Sequence, residues 1–166
     1  MSQPIALRDT VEPADVERVA RLLEATGFFR PDEVVIGAEL IAERLTHGPA
    51  SGYELLFADD PERGRLLGYA CYGPIPLTVG SWDLYWIAVA PEARGRGLGR
   101  VLLGASEARI AAAGGCNVWV DTSGRPDYTP TRAFYERCGY RVAARLADFY
   151  APGDDKVIFH KALSGA

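Results

Sequence analysis

Between the apolar run LYWIAVAP and the helical stretch RVLLGASEARIAAA lies Arg94-Gly95-Arg96-Gly97-Leu98-Gly99, so a strand must give way to a helix through a glycine-rich turn. Three glycines at alternate positions let backbone approach a ligand with no Cβ in the way. The helix that begins there offers unpaired N–H groups and the positive end of its dipole. Arg94, Arg96 and Arg100 make the spot basic. An anion with several oxygens, such as a diphosphate, suits it.

The spacing removes two familiar phosphate loops. A Walker A loop ends in Gly-Lys-Ser/Thr, whereas Gly99 is followed by Arg100-Val101. A dinucleotide fingerprint needs GxGxxG, and its third glycine falls on Arg100 when counted from Gly95, or on Leu102 when counted from Gly97. A tight strand-to-helix turn edged by solvated arginines remains as the plain alternative.

At 166 residues, with 48% apolar and 24% charged, the chain has the size and composition of one globular domain spanning 1–166. A net charge of −4 argues against a broad nucleic-acid or anionic-membrane surface, which draws its affinity from clustered Lys and Arg. Cys71, Cys116 and Cys138 show no CxxC or Cys/His spacing, and His47 and His160 are isolated, so no metal site is expected. Cys116 and Cys138 are expected to be small core residues. The odd cysteine count and the absence of a long apolar run in MSQPIALRDT suggest a cytoplasmic protein.

Hydrophobic period and turn chemistry give the order β α α β β β α β α β β. A short strand at Ile5–Leu7 precedes a helix opened by Pro13 and a second over Val35–Leu45. Tyr53–Ala58 and Leu66–Tyr72 form a hairpin around DDPERGR. Trp82–Val89, nearly all bulky, is expected to be buried on both faces. Leu98–Ala112 is a helix stopped by Gly114-Gly115, followed by a strand at Asn117–Asp121, a short helix at Thr129–Cys138, and strands at Tyr140–Leu146 and Lys156–His160.

The signature (Gln/Arg)xxGx(Gly/Ala) is met by Arg94, Gly97 and Gly99 after WIAVAP, and here the chain resembles the GCN5-related N-acetyltransferase (GNAT) superfamily. The likeness runs from about Asp83 to Ala113 and returns in TRAFYERCGY at residues 131–140, where Tyr135 precedes Gly139-Tyr140. The family often has Asn seven residues before that Tyr; this chain has Tyr128, so no role of the Asn carries over. The resemblance implies an α/β (α+β) fold: a mixed, mostly antiparallel central sheet flanked by helices, with splayed fourth and fifth strands. It also implies acetyl-CoA as donor substrate, with coenzyme A as product.

Pantetheine carries two amides, so a free strand edge at Trp86, Ile87, Ala88 and Val89 could pair with it as with peptide, and a backbone N–H near Ile87–Val89 could hold the carbonyl oxygen. The diphosphate would then lie on Arg94, Gly95, Arg96, Gly97, Leu98, Gly99 and Arg100. Phe134 and Tyr135 join the cofactor-binding set, with Tyr135 expected to face the coenzyme as proton donor to the thiolate and Phe134 to face the core. Arg132 is a candidate for an outer phosphate. Asp83, six residues before Val89, is either the general base, working through a water, or a group that binds a cationic substrate.

Phe28, Phe29, Tyr72, Trp82, Tyr128, Phe149 and Tyr150, with Glu33, Glu39, Asp127, Asp148, Asp154 and Asp155, are the aromatic and acidic residues available for a small-molecule, amino-acid or peptide amine, or else they are loop anchors. The expectation is N-acetyl transfer by direct attack in a ternary complex. An acyl-CoA-binding sensor of the same fold is the alternative. No feature marks a pairing face, and a homodimer stays open.

Overall fold

The computed structural model describes residues 5–163. The chain runs β1 (Ala6–Arg8), α1 (Asp15–Thr26), α2 (Pro31–His47), β2 (Glu54–Asp60), β3 (Arg65–Pro74), β4 (Ser81–Val89), α3 (Leu98–Ala112), β5 (Asn117–Ser123), α4 (Thr129–Arg137), β6 (Arg141–Ala151) and β7 (Asp154–Ala162), the order expected from the sequence. The strands form a seven-stranded sheet in the order β1-β2-β3-β4-β5-β7-β6. The registers of β1 with β2, β2 with β3, β5 with β7 and β6 with β7 are antiparallel, and that of β4 with β5 is parallel. Parallel pairing runs only from Ser81 opposite Asn117 to Asp83 opposite Trp119, although the strands continue to Val89 and Ser123. A ladder this short is what splayed fourth and fifth strands would leave.

Two compact units divide the chain, one holding the chain up to Gly73 with Trp86–Ala108, the other Pro74–Tyr85 with the chain from Arg109 onward. In the first, β1 is tied to α1 by charge. Arg8 donates from both terminal nitrogens to the Asp15 carboxylate (2.8 and 3.0 Å) and from Nε to Asp59 (2.9 Å), while the Glu12 N–H also donates to Asp15 (2.8 Å). Asp15 is wholly buried. Gly27, at φ 65°, closes α1 in the left-handed conformation that a residue with Cβ resists. The α2 start is fixed by Glu33, whose carboxylate accepts the Arg30 N–H (2.8 Å). Val19, Leu23, Ile41, Leu55, Phe57 and Tyr69 fill this unit's core.

In the second unit, Val118, Val120, Val157, Phe159, Tyr135 and Tyr140 are buried. Gly114 ends α3 at φ 85°, with the Gly115 N–H donating to Ile110 O (2.8 Å), so the glycine pair stops the helix as read from sequence. The final hairpin is longer than expected. Its turn is held by Asp148, which accepts the Gly153 N–H (2.6 Å) and donates its own N–H to Asp155 (3.0 Å), so pairing resumes between Ala151 and Asp154 beyond an irregular stretch.

Two burial expectations fail. Along β4 only Leu84 and Ala88 are buried, so the bulky run is half-buried over most of its length and not covered on both faces. Cys116 is exposed rather than a core residue; it follows Gly115 at the turn out of α3, and its sulfur accepts from Asn117 Nδ2 (3.3 Å).

Candidate functional site

In the first unit, Ala90 ends β4 by donating its N–H to Leu67 O (2.8 Å), and the short turn Pro91–Ala93 leads into the glycine run. Gly95 has φ 72° and Gly97 φ 80°. A Cβ built on either meets nothing within 4 Å, so the outer side of the turn is open space that a side chain would fill. The Gly97 carbonyl then accepts the Val101 N–H (3.1 Å) and starts α3. Arg94, Gly95, Arg96, Gly97 and Arg100 are exposed and Gly99 is half-buried, while Leu98 is buried. Arg94 donates to Thr26 O (3.2 Å), at the carbonyl end of α1.

What holds this turn in place was not read from the sequence. A Cβ on Gly68 in β3 would stand 2.9 Å from the Ala88 carbonyl oxygen and 2.9 Å from Leu102 Cδ1. Only glycine lets α3 and β4 come this close over β3. A lone Gly inside the bulky run RLLGYACY was the available signal. On β4, Trp86 is half-buried against Phe29, ring centroids 5.2 Å apart, and Ile87 and Val89 are also half-buried. The amides of coenzyme A could pair with this strand, its adenosine diphosphate arm could rest on the open turn, and Arg94, Arg96 and Arg100 supply charge of the right sign.

The other predicted residues lie in the second unit. Tyr135 is 3% exposed, with its ring near Phe134 (5.3 Å), Tyr140 (5.6 Å) and Phe159 (5.7 Å). The expected division of the α4 aromatics is therefore reversed in burial, since Phe134 is the half-buried one. The cause is the helix end. Tyr140 N–H donates to Tyr135 O (3.0 Å) and Gly139 N–H to Glu136 O (3.0 Å), with Gly139 at φ 88°. This is a Schellman closure, and Tyr135 against Tyr140 is the apolar contact that accompanies it. The Tyr-x-x-x-Gly-Tyr spacing thus has a packing reason of its own. Burial first, then Cys138 and Tyr128, push the Tyr135 phenol up, so it keeps its proton at neutral pH.

Arg132 is already engaged, donating to Ser123 O (2.6 Å), Arg125 O (2.9 Å) and Thr129 Oγ1 (3.1 Å). It staples the loop from β5 to α4, because three oxygens of that loop converge on one guanidinium fork. Asp83 is half-buried. Burial raises its carboxyl above the ordinary value, the charge of Asp121 adds to the rise, and Lys156 opposes it. Neither Asp121 nor Lys156 stood out in the sequence, since each came into view only through strand register.

Of the residues read as acceptor groups or loop anchors, four make local contacts that fit the second reading. Glu33 caps α2, Asp127 pairs with Arg125 (3.2 Å), and Asp148 and Asp155 build the last hairpin. Phe149 and Tyr150, by contrast, are 54% and 49% exposed.

Residues 20–140 match the acetyltransferase (GNAT) family. The chain belongs to that family. Over 156 residues this GNAT chain is 36% identical to a mycothiol acetyltransferase of Gordonia bronchialis, covering 90% of this chain and 48% of that protein. It is 31% identical over 98 residues to the uncharacterized N-acetyltransferase MJ1530 of Methanocaldococcus jannaschii, covering 59% of this chain and 60% of that protein. The chain thus spans about half the length of the first of these relatives. Among solved structures, one assigned to the GNAT family from Desulfovibrio desulfuricans superposes with a TM-score of 0.94 at 45% identity, over 97% of this chain and 100% of that one. An aminoglycoside 6'-N-acetyltransferase complexed with coenzyme A shares the fold, with a TM-score of 0.78 at 20% identity over 98% of each chain. No helix among the described residues is long and apolar enough to cross a membrane.

Proposed function

We propose that this chain transfers an acetyl group from acetyl-CoA to a primary amine of a small molecule, amino acid or peptide, by direct attack in a ternary complex. The observation that carries the reading is the open turn. Gly95 and Gly97 hold positive φ with free space where Cβ atoms would stand, at the start of α3 and directly after the sparsely buried end of β4. Trp86–Val89 would bind the pantetheine amides, Arg94–Arg100 the diphosphate, and a backbone N–H near Ile87–Val89 the thioester oxygen. When bound, acetyl-CoA supplies an activated acyl group and a thiolate that leaves.

The chain's own task is proton handling. A lysine-type amine is neutral in only about one molecule in 2,500 at pH 7, so a base is needed for such an acceptor and far less for an α-amine. Asp83 is the proposed base, and it works only when deprotonated. Because its carboxyl is raised, kcat/KM should fall on acidification at a pH above the ordinary carboxylate value of about 3.9. Tyr135, protonated at working pH, is the proposed donor to the thiolate. Similarity to a protein named for mycothiol supports a small-molecule acceptor.

One observation favours a second reading, an acyl-CoA-binding sensor without turnover: the packing of Tyr135 against Tyr140 explains that residue with no chemistry. A panel of amines separates the two. Thiol release from acetyl-CoA that rises with at least one amine is expected, whereas saturable acetyl-CoA binding with no amine-dependent thiol release would establish the sensor.

A further inference from the structure

One face of the second unit's sheet carries three charges on neighbouring strands. Asp83 on β4 stands opposite Trp119 on β5, and Asp121, two residues on, shares that face. Ser123 follows, and its partner across β7 is Lys156. The Lys156 ammonium reaches back to Asp121 Oδ2 at 2.5 Å and lies 4.8 Å from the centroid of the Phe149 ring. Only 18% of the lysine side chain is exposed, so this cation is held in place rather than solvated.

The remaining titratable groups nearby are committed elsewhere. On β7, His160 stacks on Trp119 (4.4 Å) and bonds Asn117 Oδ1 (2.7 Å). Asp154 accepts from Ser123 Oγ (2.5 Å) and stands 4.0 Å from Arg125 Nε. On β6, Tyr150 is pushed up to about 12 by burial and then by Asp121, Tyr128 and Asp154, so it stays neutral. The charges that bear on the Asp83 carboxyl, beside its burial, are Asp121 and Lys156, in opposite directions.

We propose that the Asp121–Lys156 pair, sharing the sheet face of Asp83, tunes the readiness with which the half-buried Asp83 carboxyl gives up its proton, which makes both of them positioning residues acting through Asp83. The inference rests on Asp83 as the base only for its effect on rate. Asp121 is a like charge that disfavours ionised Asp83. Lys156 cancels part of that charge and adds an attraction of its own. Removing either partner therefore changes the field at Asp83 in opposite directions.

The test is the 13C titration of the Asp83 side-chain carboxyl in the wild-type chain, Lys156→Met, Lys156→Arg and Asp121→Asn. The acid limb of kcat/KM is read on the same proteins. Lys156→Met should move the Asp83 midpoint up by at least about half a pH unit, Asp121→Asn should move it down, and Lys156→Arg should keep it. A merely structural pair would disturb both variants in the same direction, so opposite signs are the mark of the mechanism. Midpoints that shift together, or do not shift, overturn it. The base reading fails separately: an acid limb that survives Asp83→Asn removes Asp83 from the rate, while opposite NMR shifts would still uphold the coupling.

Discussion

Asp15 is a carboxylate with no exposed surface, and a buried charge of this kind persists only when its partners are in place. Burial alone would raise its pKa. The Arg8 guanidinium, the Glu12 N–H and Arg18 outweigh that effect and leave it below the ordinary value. Its contribution to stability is therefore complete above the unfolded carboxyl value of about 3.9 and is lost as pH falls through the lower folded one. Arg8→Ala should cost about 2–3 kcal/mol at pH 7, because it leaves the buried carboxylate with only the Glu12 N–H and Arg18 as partners, and the loss should shrink in acid. Urea midpoints at pH 7 and pH 3 check both statements; a cost below about 1 kcal/mol at pH 7 would contradict the first. Tyr135→Phe tests chemistry against packing at a single atom. The ring contacts with Tyr140 and Phe159 survive the change, so fold and coenzyme affinity should hold while kcat drops by about 10²–10³. An unchanged kcat would leave Tyr135 a packing residue.

Two glycines with opposite surroundings separate binding from architecture at the level of the turn and its supporting strand. Gly97→Val puts a branched side chain at φ 80° into space where no protein atom lies within 4 Å. It should abolish coenzyme binding, at a stability cost of about 1–2 kcal/mol from backbone strain. Gly68→Ala forces a Cβ to 2.9 Å from the Ala88 carbonyl and the Leu102 methyl, so about 1–3 kcal/mol of overpacking is expected, with weaker binding as a consequence of displaced α3. Isothermal titration with coenzyme A alongside thermal melts distinguishes them; near-normal affinity in Gly97→Val would count against the cradle. Elements were legible where period and punctuation agreed. The α3 helix with its Gly114-Gly115 stop and the hairpin around DDPERGR are examples. They were not legible at the last hairpin, where Asp148 and Asp155 act through side-chain bonds to a backbone that composition marks only as a polar turn.

For the molecule as a whole, ligand choice is the sharpest measurement. Acetyl-CoA at a hundred times its dissociation constant should add about 2.7 kcal/mol of stability and raise the melting temperature, whereas ATP and NAD at the same concentration should add little. A melt unmoved by acetyl-CoA would remove the enzyme and sensor readings together. The proposed donor site was legible because it is local: strand, glycine turn and helix start are contiguous in sequence, and backbone N–H groups need no distant partner. That local grammar determined the element order and the family, and it carries the proposal of acetyl-CoA as donor. Tertiary structure decided everything that depends on residues far apart in the chain. It made Gly68 the spacer beneath α3 and packed the Tyr135 ring near that of Phe159 on β7. It also set Asp121 and Lys156 beside Asp83 through the register of three strands, because charges and side-chain volumes act through space and not along the chain.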